Sequence, residues 1–271
     1  MIDQKHYNFA FLDENVAVPG HQVPFGSREM PMPYGWGTGG IQVSASVMGP
    51  NDVLKVIDQG SDDSVNAVNI KKFVSACTGV EITTDSEAAS IIQTRHRIPE
   101  IPLKKEQILV LQVPTPEPLR IVEPREAVTK KMHAEGEYSP MWLTLYEDLL
   151  RCGKIGISSE YPVLVEDRYI MNPSPIPRYD TPKLNDSDCL YLFGAGREKK
   201  IYAIPPHTKV MPLEFDDIPF ETENFTGKHC HLCGAEGVYL DELTDEKTGE
   251  KYYECSDTGY CAKRREQGCR P

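Results

Sequence analysis

The sequence predicts an α+β protein: a mixed, strand-rich core that carries a helical insertion, followed by a small C-terminal module whose cysteines bind a metal. Short strand-like stretches mix irregularly with stretches of helical periodicity, without the regular alternation of a parallel α/β fold. Five of the eight cysteines lie beyond residue 229. We therefore expect a core over 1–222, with the insertion at about 123–157, and a cysteine-rich module over 223–271.

The early core is predicted to begin after a loop-rich segment of prolines and glycines that ends near residue 40. IQVSASVM (41–48) alternates apolar and polar residues, which predicts a half-buried strand. Asn51 is a suitable N-cap, so DVLKVID (52–58) is predicted to be a short helix.

A longer helix is predicted over VNAVNIKKFVSAC (65–77). Asp63 or Ser64 would cap its N-terminus, and Gly79 follows it at the position where a helix ends in a left-handed residue. The apolar run QILVLQV (107–113) then predicts a buried strand.

The second half of the core opens with a proline-rich stretch, 113–126, which predicts an extended linker. Ser139 and Pro140 then start a helix of the insertion. Its helically spaced apolar residues are Met141, Trp142, Leu145, Tyr146, Leu149 and Leu150. Two hairpins are predicted at 161–171 and 189–206.

Composition excludes several classes of protein. The chain has 271 residues and a net charge of -12, from 41 acidic and 29 basic residues. Nucleic acids and anionic membranes attract basic surfaces, so we expect neither as a partner. No apolar run approaches the ~20 residues of a membrane helix, and the first residues lack the apolar segment of a signal peptide. The expected location is the cytoplasm.

The cysteine module has the spacing of a metal site. Cys230 and Cys233 form a C-x2-C pair, and a hairpin with Thr248 and Gly249 at its tip would return Cys255 beside them. Cys261 follows after five residues. Four converging thiolates most often bind structural zinc, and an iron–sulfur cluster is the alternative. A zinc ribbon usually has two C-x2-C pairs, so Cys261 is either the fourth ligand or a free thiol beside a three-cysteine cluster.

Several long sequence blocks are more specific than the cysteine pattern: NFAFLDE (8–14), 17–42, DVLKVIDQG (52–60), QTRHRIPE (93–100), QVPTPEPLR (112–120), NPSPIP (172–177) and LFGAGREK (192–199). Together with the cysteine module, these blocks resemble the PhnJ family, the catalytic subunits of bacterial carbon–phosphorus lyase. The resemblance implies a radical lyase that cleaves α-D-ribose 1-methylphosphonate 5-phosphate to methane and a ribose 1,2-cyclic phosphate 5-phosphate.

The resemblance also assigns roles to particular residues. It implies a 4Fe–4S cluster on Cys230, Cys233 and Cys255 that binds S-adenosylmethionine, with Gly20 as the glycyl-radical position and Cys261 as the thiyl-radical position. Without the resemblance, Gly20 after Pro19 is a turn residue. Zinc held by all four cysteines, after loss of the cluster, is the alternative for protein prepared in air.

Arg95, His96 and Gln112 are candidate substrate-binding residues. Arg95 would contact a substrate phosphate, His96 a phosphate or a second metal ion, and Gln112 would join them from the end of a buried strand. The alternative for Arg95-His96-Arg97 is a solvated loop or a set of salt bridges.

The resemblance also implies partners, namely other carbon–phosphorus lyase subunits and ATP-binding-cassette ATPase subunits, and the insertion is the candidate docking element. The rival functions are a zinc-stabilised scaffold subunit and an iron–sulfur electron-transfer subunit.

Overall fold

The computed structural model describes residues 23–24, 38–112, 118–152, 162–171, 176, 178–195, 200–218 and 220–271. Its elements in chain order are β1 (Val23–Pro24), α1 (Thr38–Val47), β2 (Val53–Asp58), α2 (Val65–Thr78), β3 (Glu81–Ile82), β4 (Ile91–Arg95), β5 (Ile108–Gln112), α3 (Glu126–Glu135), α4 (Ser139–Cys152), β6 (Val163–Val165), β7 (Tyr169–Met171), α5 (Thr181–Leu184), β8 (Leu190–Ala195), β9 (Lys200–Ile204), β10 (Val210–Pro212), β11 (Leu240–Thr244), β12 (Lys251–Cys255) and α6 (Thr258–Glu266).

A seven-stranded sheet forms the centre of the molecule, in the order β1-β9-β8-β5-β4-β2-β3. Five adjacent strands, β3, β2, β4, β5 and β8, run parallel to one another. Strand β9 is antiparallel to both β8 and β1. The protein therefore mixes helices and strands as predicted, but β2, α2 and β4 form a strand–helix–strand unit that the sequence did not suggest.

The predicted secondary structure of two early segments is wrong, with helix and strand interchanged. Residues 38–47 form helix α1 rather than a strand, and 53–58 form strand β2 rather than a helix. The side chains that the structure describes in these two segments are nearly all buried. An element covered on both sides has no polar face, so its hydrophobic period does not distinguish helix from strand.

Helix α2 forms where it was predicted. The Ser64 hydroxyl accepts a hydrogen bond from the Ala67 N–H, and Gly79 ends the helix in the left-handed conformation with φ 72°. Its buried face, Ala67, Ile70 and Val74, packs in one core cluster with residues of α1 and β2. Both caps are local signals, which explains why the sequence revealed them.

The insertion consists of α3 and α4 and leads to a three-stranded sheet in the order β10-β6-β7. The predicted stripe of α4 is buried at Met141, Leu145 and Leu149, and these side chains join the same core cluster as strands β4 and β5. The predicted linker contains a 3-10 turn at Pro118–Ile121, and residues 113–117 lie outside the described part. Both predicted hairpins are present as β6–β7 and β8–β9.

The cysteine module contains the hairpin β11–β12 and helix α6, and its own small core surrounds the four cysteines. Among the described residues, no helix has the length and apolar character that a membrane span requires.

Candidate functional site

Four cysteines converge at the centre of the C-terminal module. Cys230, Cys233, Cys255 and Cys261 are all buried, and their sulfur atoms lie within 4.8 Å of one another. The Sγ atoms of Cys230 and Cys261 are 3.8 Å apart, and those of Cys233 and Cys255 are 3.6 Å apart. The structure thus places Cys261 in the same donor set as the other three cysteines.

Local structure brings the sulfurs together. The Gly234 N–H donates to the Cys230 carbonyl at 2.8 Å, which closes the turn between the first two cysteines. Gly234 has φ 66°, and a Cβ there would lie 2.6 Å from the Arg270 carbonyl oxygen, so the turn requires glycine. Strand β12 then places Cys255 opposite Leu240 in the hairpin.

Helix α6 supplies the fourth cysteine. The Asp257 carboxylate caps the helix by accepting a hydrogen bond from the Tyr260 N–H at 2.9 Å. The Cys261 N–H donates to the Asp257 carbonyl at 3.0 Å, so this cysteine lies in the first helical turn.

The surroundings favour one thiolate before any cation binds. Burial raises the pKa of Cys230, but backbone N–H groups of Cys233, Leu232 and Cys255 outweigh burial and lower this pKa to about 7. Burial and the charge of Cys230 raise the pKa of Cys261 to about 12. They also raise the pKa of Cys255. A bound cation would reverse the last two shifts by stabilising every thiolate.

The spacing of the sulfurs tests which metal the site accepts. A tetrahedral ion with metal–sulfur bonds of about 2.3 Å holds its ligand sulfurs about 3.8 Å apart. Two sulfur pairs, at 3.6 and 3.8 Å, have this spacing, and all four sulfurs lie within 4.8 Å of one another, so the four thiolates could bind a single metal ion. An all-thiolate donor set also suits an iron–sulfur cluster. However, several irons need more widely separated sulfurs than this arrangement provides.

The three candidate substrate residues lie near the carboxyl ends of parallel strands. Arg95 ends β4 and pairs in register with Asp58, the last residue of β2. Gln112 ends β5 and faces Gly194 of β8. Thr94 of β4 pairs in register with Leu111 of β5. The residues that follow them, Arg95 and Gln112, are therefore neighbours at the ends of these two strands. Ligands of open parallel sheets bind at this edge.

Arg95 is half-buried and ion-paired rather than fully solvated. Its Nε lies 2.6 Å from Asp58 Oδ1, and its Nη2 donates to Asp58 Oδ2 at 2.8 Å. This pairing fixes the plane of the guanidinium at the sheet edge.

His96 follows with φ 73°, a left-handed backbone conformation that a non-glycine residue rarely adopts. The ring is exposed, yet desolvation by adjacent protein atoms and the charge of Arg95 lower the pKa of His96. At neutral pH the neutral imidazole is therefore favoured, the form that accepts a hydrogen bond or binds a metal.

Arg97, unlike Arg95 and His96, makes contacts that stabilise the fold. It is buried, forms ion pairs with Glu100 and Asp180, and stacks over the ring of Tyr239 with 3.8 Å between Cζ and the centroid. Glu100 Oε1 in turn accepts a hydrogen bond from the Tyr239 N–H at 3.1 Å. Because Tyr239 belongs to the cysteine module, Arg97 and Glu100 help to attach that module to the core.

The cysteine module docks at the same sheet edge. Thr258 lies 3.3 Å from the Ser61 hydroxyl and accepts a hydrogen bond from the Asp62 N–H at 3.1 Å. Asp257 accepts a hydrogen bond from the Glu100 N–H at 3.1 Å. The turn after β2 and the loop after β4 thus contact the segment that carries Cys261. Gly20 lies outside the described residues.

Four further residues near the site were not predicted from the sequence: Asp58, Lys55, Asp62 and Asp257. Their common signal is a charge inside or beside an apolar run, with VLKVID as the clearest case. Read as a helix, that segment would place Lys55 on the surface. Read as a buried strand, it requires a partner for the lysine.

Comparisons with known proteins agree over nearly the whole chain. A family model described as "Phosphonate metabolism protein PhnJ" matches residues 5–267. A protein of Rhizobium meliloti (strain 1021), named alpha-D-ribose 1-methylphosphonate 5-phosphate C-P-lyase, is 56% identical over 280 residues, which cover 99% of this chain and 94% of the relative. The protein of that activity from Escherichia coli (strain K12) is 53% identical over 278 residues, which cover 98% of this chain and 99% of the relative.

Proposed function

This chain belongs to the PhnJ family of phosphonate metabolism proteins, and we propose that it is a carbon–phosphorus lyase that acts on α-D-ribose 1-methylphosphonate 5-phosphate. The observation that carries the proposal is identity of 53% and 56%, over almost full length, to two proteins named for that activity. The four-cysteine centre and the adjoining sheet edge supply residues suited to the reaction.

The proposed products are methane and α-D-ribose 1,2-cyclic phosphate 5-phosphate. The phosphorus–methyl bond breaks, and a bond forms between phosphorus and the 2-hydroxyl oxygen of the ribose. The hydrogen lost from that hydroxyl balances the hydrogen gained by the methyl group, so the overall reaction is redox-neutral. Methyl is too poor a leaving group for simple displacement, which is the reason to propose radical chemistry.

We propose a 4Fe–4S cluster on Cys230, Cys233 and Cys255, with S-adenosylmethionine, as the active cofactor. Such a cofactor supplies the one-electron chemistry that ordinary side chains lack. The sulfur spacing described above is that of a single ion on four thiolates, and we assign that state to zinc-bound protein. Cluster binding then requires the sulfurs to move apart and Cys261 to leave the donor set.

The remaining roles belong to side chains and backbone of this chain. Cys261 is proposed to attack phosphorus as a thiyl radical, because a thiol gives up its hydrogen atom readily and sulfur bonds to phosphorus. Gly20 is proposed as the glycyl-radical position that removes this hydrogen atom. The sulfur–phosphorus bond forms as the phosphorus–methyl bond breaks, and the released methyl radical takes a hydrogen atom from Gly20 to give methane. The ribose 2-hydroxyl oxygen then displaces the sulfur, and its proton returns to the Cys261 thiolate. Arg95, His96 and Gln112 are proposed to hold the phosphate-bearing substrate at the sheet edge, beside the module that carries Cys261.

We further propose that the chain works in an assembly with other lyase subunits and ATP-binding-cassette ATPase subunits. Helix α4 supports the docking role proposed for the insertion, because Leu143 and Leu150 are 59% and 53% exposed. Two leucines one helical heptad apart form an apolar strip that a partner would cover.

The variant Cys261→Ala tests the function within the reconstituted assembly. A lyase should keep its cluster and still cleave S-adenosylmethionine, but produce no methane. A zinc-stabilised scaffold, which the tetrahedral sulfur spacing favours, should instead lose zinc and stability. An electron-transfer subunit with four protein ligands should lose or retune its cluster.

Electron paramagnetic resonance on anaerobically reconstituted, reduced protein provides the second test. A cluster signal that shifts when S-adenosylmethionine is added supports an iron with an open position. Retention of one tightly bound zinc, with no cluster formed, contradicts the radical mechanism and supports the scaffold.

A further inference from the structure

Lys55 lies on strand β2, next to the edge strand β3 of the seven-stranded sheet, and is fully buried, with an exposed fraction of 0%. Its ammonium donates to Asp62 Oδ2 and to the Thr84 carbonyl, each at 2.6 Å. A third oxygen, Asp257 Oδ1, lies at 3.9 Å. Burial of a charge is unfavourable unless it is paired, so these oxygens are needed to keep the lysine charged inside the core.

Asp257 connects three parts of the molecule. One carboxylate oxygen caps α6 through the Tyr260 N–H and faces Lys55 of the sheet. The other accepts the Glu100 N–H, at the end of the loop that begins with Arg95. Its backbone carbonyl accepts the Cys261 N–H. A shift of Asp257 therefore moves the cysteine relative to the sheet edge.

Gly259 shows how closely helix α6 approaches this charge. A Cβ on Gly259 would lie 2.4 Å from the Thr84 carbonyl oxygen and 2.8 Å from both Asp62 Oδ2 and Lys55 Nζ. The first turn of α6 therefore rests directly on the ion pair without an intervening side chain, and Cys261 is two residues further along the chain.

We propose that Lys55, Asp62 and Asp257 form a positioning network that holds the start of α6, and with it Cys261, against the strand end that carries Arg95. In the state with a single ion on four thiolates, the same network keeps Cys261 in the donor set. The network acts through the start of α6 and touches neither metal nor substrate. Its relevance to carbon–phosphorus cleavage rests on the proposed function, whereas the positioning of Cys261 does not.

Cobalt(II) binding to the full chain tests the positioning directly, because the visible spectrum of cobalt reports the number of thiolate ligands. The variant Lys55→Met with Asp62→Asn removes both buried charges together. We expect its cobalt spectrum to change from that of four thiolates to that of three. Cobalt affinity should fall about 10- to 100-fold, the usual effect of removing groups that orient metal ligands.

Alkylation of the cobalt-loaded protein provides an independent readout. Iodoacetamide followed by peptide mass spectrometry should label Cys261 faster in the variant, with Cys230, Cys233 and Cys255 still protected. A general loss of stability would lower the melting temperature and expose all four cysteines together.

Lys263→Met is the matched control. Lys263 also joins α6 to the core, through Asp85 and Glu87, but its side chain is partly exposed. We expect the four-thiolate spectrum and the protection of Cys261 to persist in this variant.

Asp257→Asn keeps the test decisive if the double variant does not fold. Asparagine caps helices as well as aspartate does, so the fold should persist. The substitution removes the charge that faces Lys55 and the second oxygen, which accepts the Glu100 N–H. We expect the same selective labelling of Cys261. An unchanged spectrum, affinity and labelling pattern in the folded variants would overturn the proposal. Failure of Cys261→Ala to abolish methane formation would overturn the proposed function alone.

Discussion

Arg95 and Asp58 pair across two parallel strands, with Nε 2.6 Å from Oδ1 and Nη2 2.8 Å from Oδ2. The two residues end adjacent strands, so the pair stands at the carboxyl edge of the sheet. Asp58 is almost wholly buried, whereas the Arg95 side chain is 23% exposed. The aspartate thus fixes a guanidinium that still reaches solvent.

Arg95→Ala should therefore lower substrate turnover by at least about tenfold without disturbing the metal centre. A hydrogen bond to a charged group contributes about 1.5–3 kcal/mol, so the loss of one phosphate contact alone predicts a fall of about tenfold to a hundredfold. Methane production and metal content are measured on the same reconstituted sample. Arg120→Ala, at a more exposed arginine, is the control. Normal turnover in Arg95→Ala and in His96→Ala would contradict the assigned substrate role.

Substitution of the exposed strip on α4 should weaken binding of an ATPase subunit. The double variant Leu143→Ser and Leu150→Ser changes only exposed positions, so the free energy of unfolding should stay within about 0.5 kcal/mol per site. Binding is measured by size-exclusion chromatography or calorimetry with the ATPase subunit. Deleting the whole insertion is a poorer test, because Leu145 and Leu149 belong to the main core.

Val65→Ser is the control for that experiment, since Val65 is 77% exposed on α2, away from the insertion. Equal binding by the strip variant and this control would show that the partner docks elsewhere.

Asp62 should make the protein less stable as the pH rises from about 4 to about 6. Burial raises its pKa from 3.8 to about 6, although Lys55 opposes the shift. Between these values the folded state holds a proton that the unfolded chain has released, so stability falls with increasing pH. The groups that face this carboxyl are Lys55, Asp257 and Lys71.

Denaturant unfolding at several pH values checks this slope. Asp62→Asn should be less stable overall, because Lys55 loses a charged partner, but its stability relative to the wild type should rise between pH 4 and 6. A constant difference over that range would show that Asp62 does not titrate there.

Gly259→Ala should destabilise the protein by about 1–3 kcal/mol, the usual effect of overpacking a close contact. The added methyl group meets a backbone carbonyl and the Lys55–Asp62 pair, none of which lies at a flexible surface. Zinc should also dissociate faster to a chelator, because the start of α6 must move. Gly249→Ala, at the hairpin tip with open space around it, should leave zinc dissociation unchanged.

Metal removal should loosen the C-terminal module and leave the central sheet folded. The cysteines belong to a small core cluster of their own, separate from the two clusters that cover the sheet. Hydrogen exchange after chelation under reducing conditions should therefore increase over 240–266, with strands β4 and β5 still protected. Cooperative loss of protection in both parts would contradict this independence.

The sequence alone determined the features whose signals are local. Ser64 and Gly79 bound α2 because caps act within one helical turn. The hairpin tip at Thr248 and Gly249 and the buried stripe of α4 follow from turn chemistry and helical spacing in the same way. Cysteine spacing predicted that Cys230, Cys233 and Cys255 converge, since ligands two residues apart reach one ion, but it left the place of Cys261 open.

Only the tertiary structure decided whether the segments that are covered on both sides form helices or strands. The described side chains of 38–47 and 53–58 are nearly all buried, so neither segment shows a polar face from which a hydrophobic period could be read. The partners of Lys55 also depend on the fold, because Asp257 lies about two hundred residues away along the chain. No local pattern connects a lysine in a buried strand to the cap of a distant helix; packing of the cysteine module against the sheet brings the two charges together.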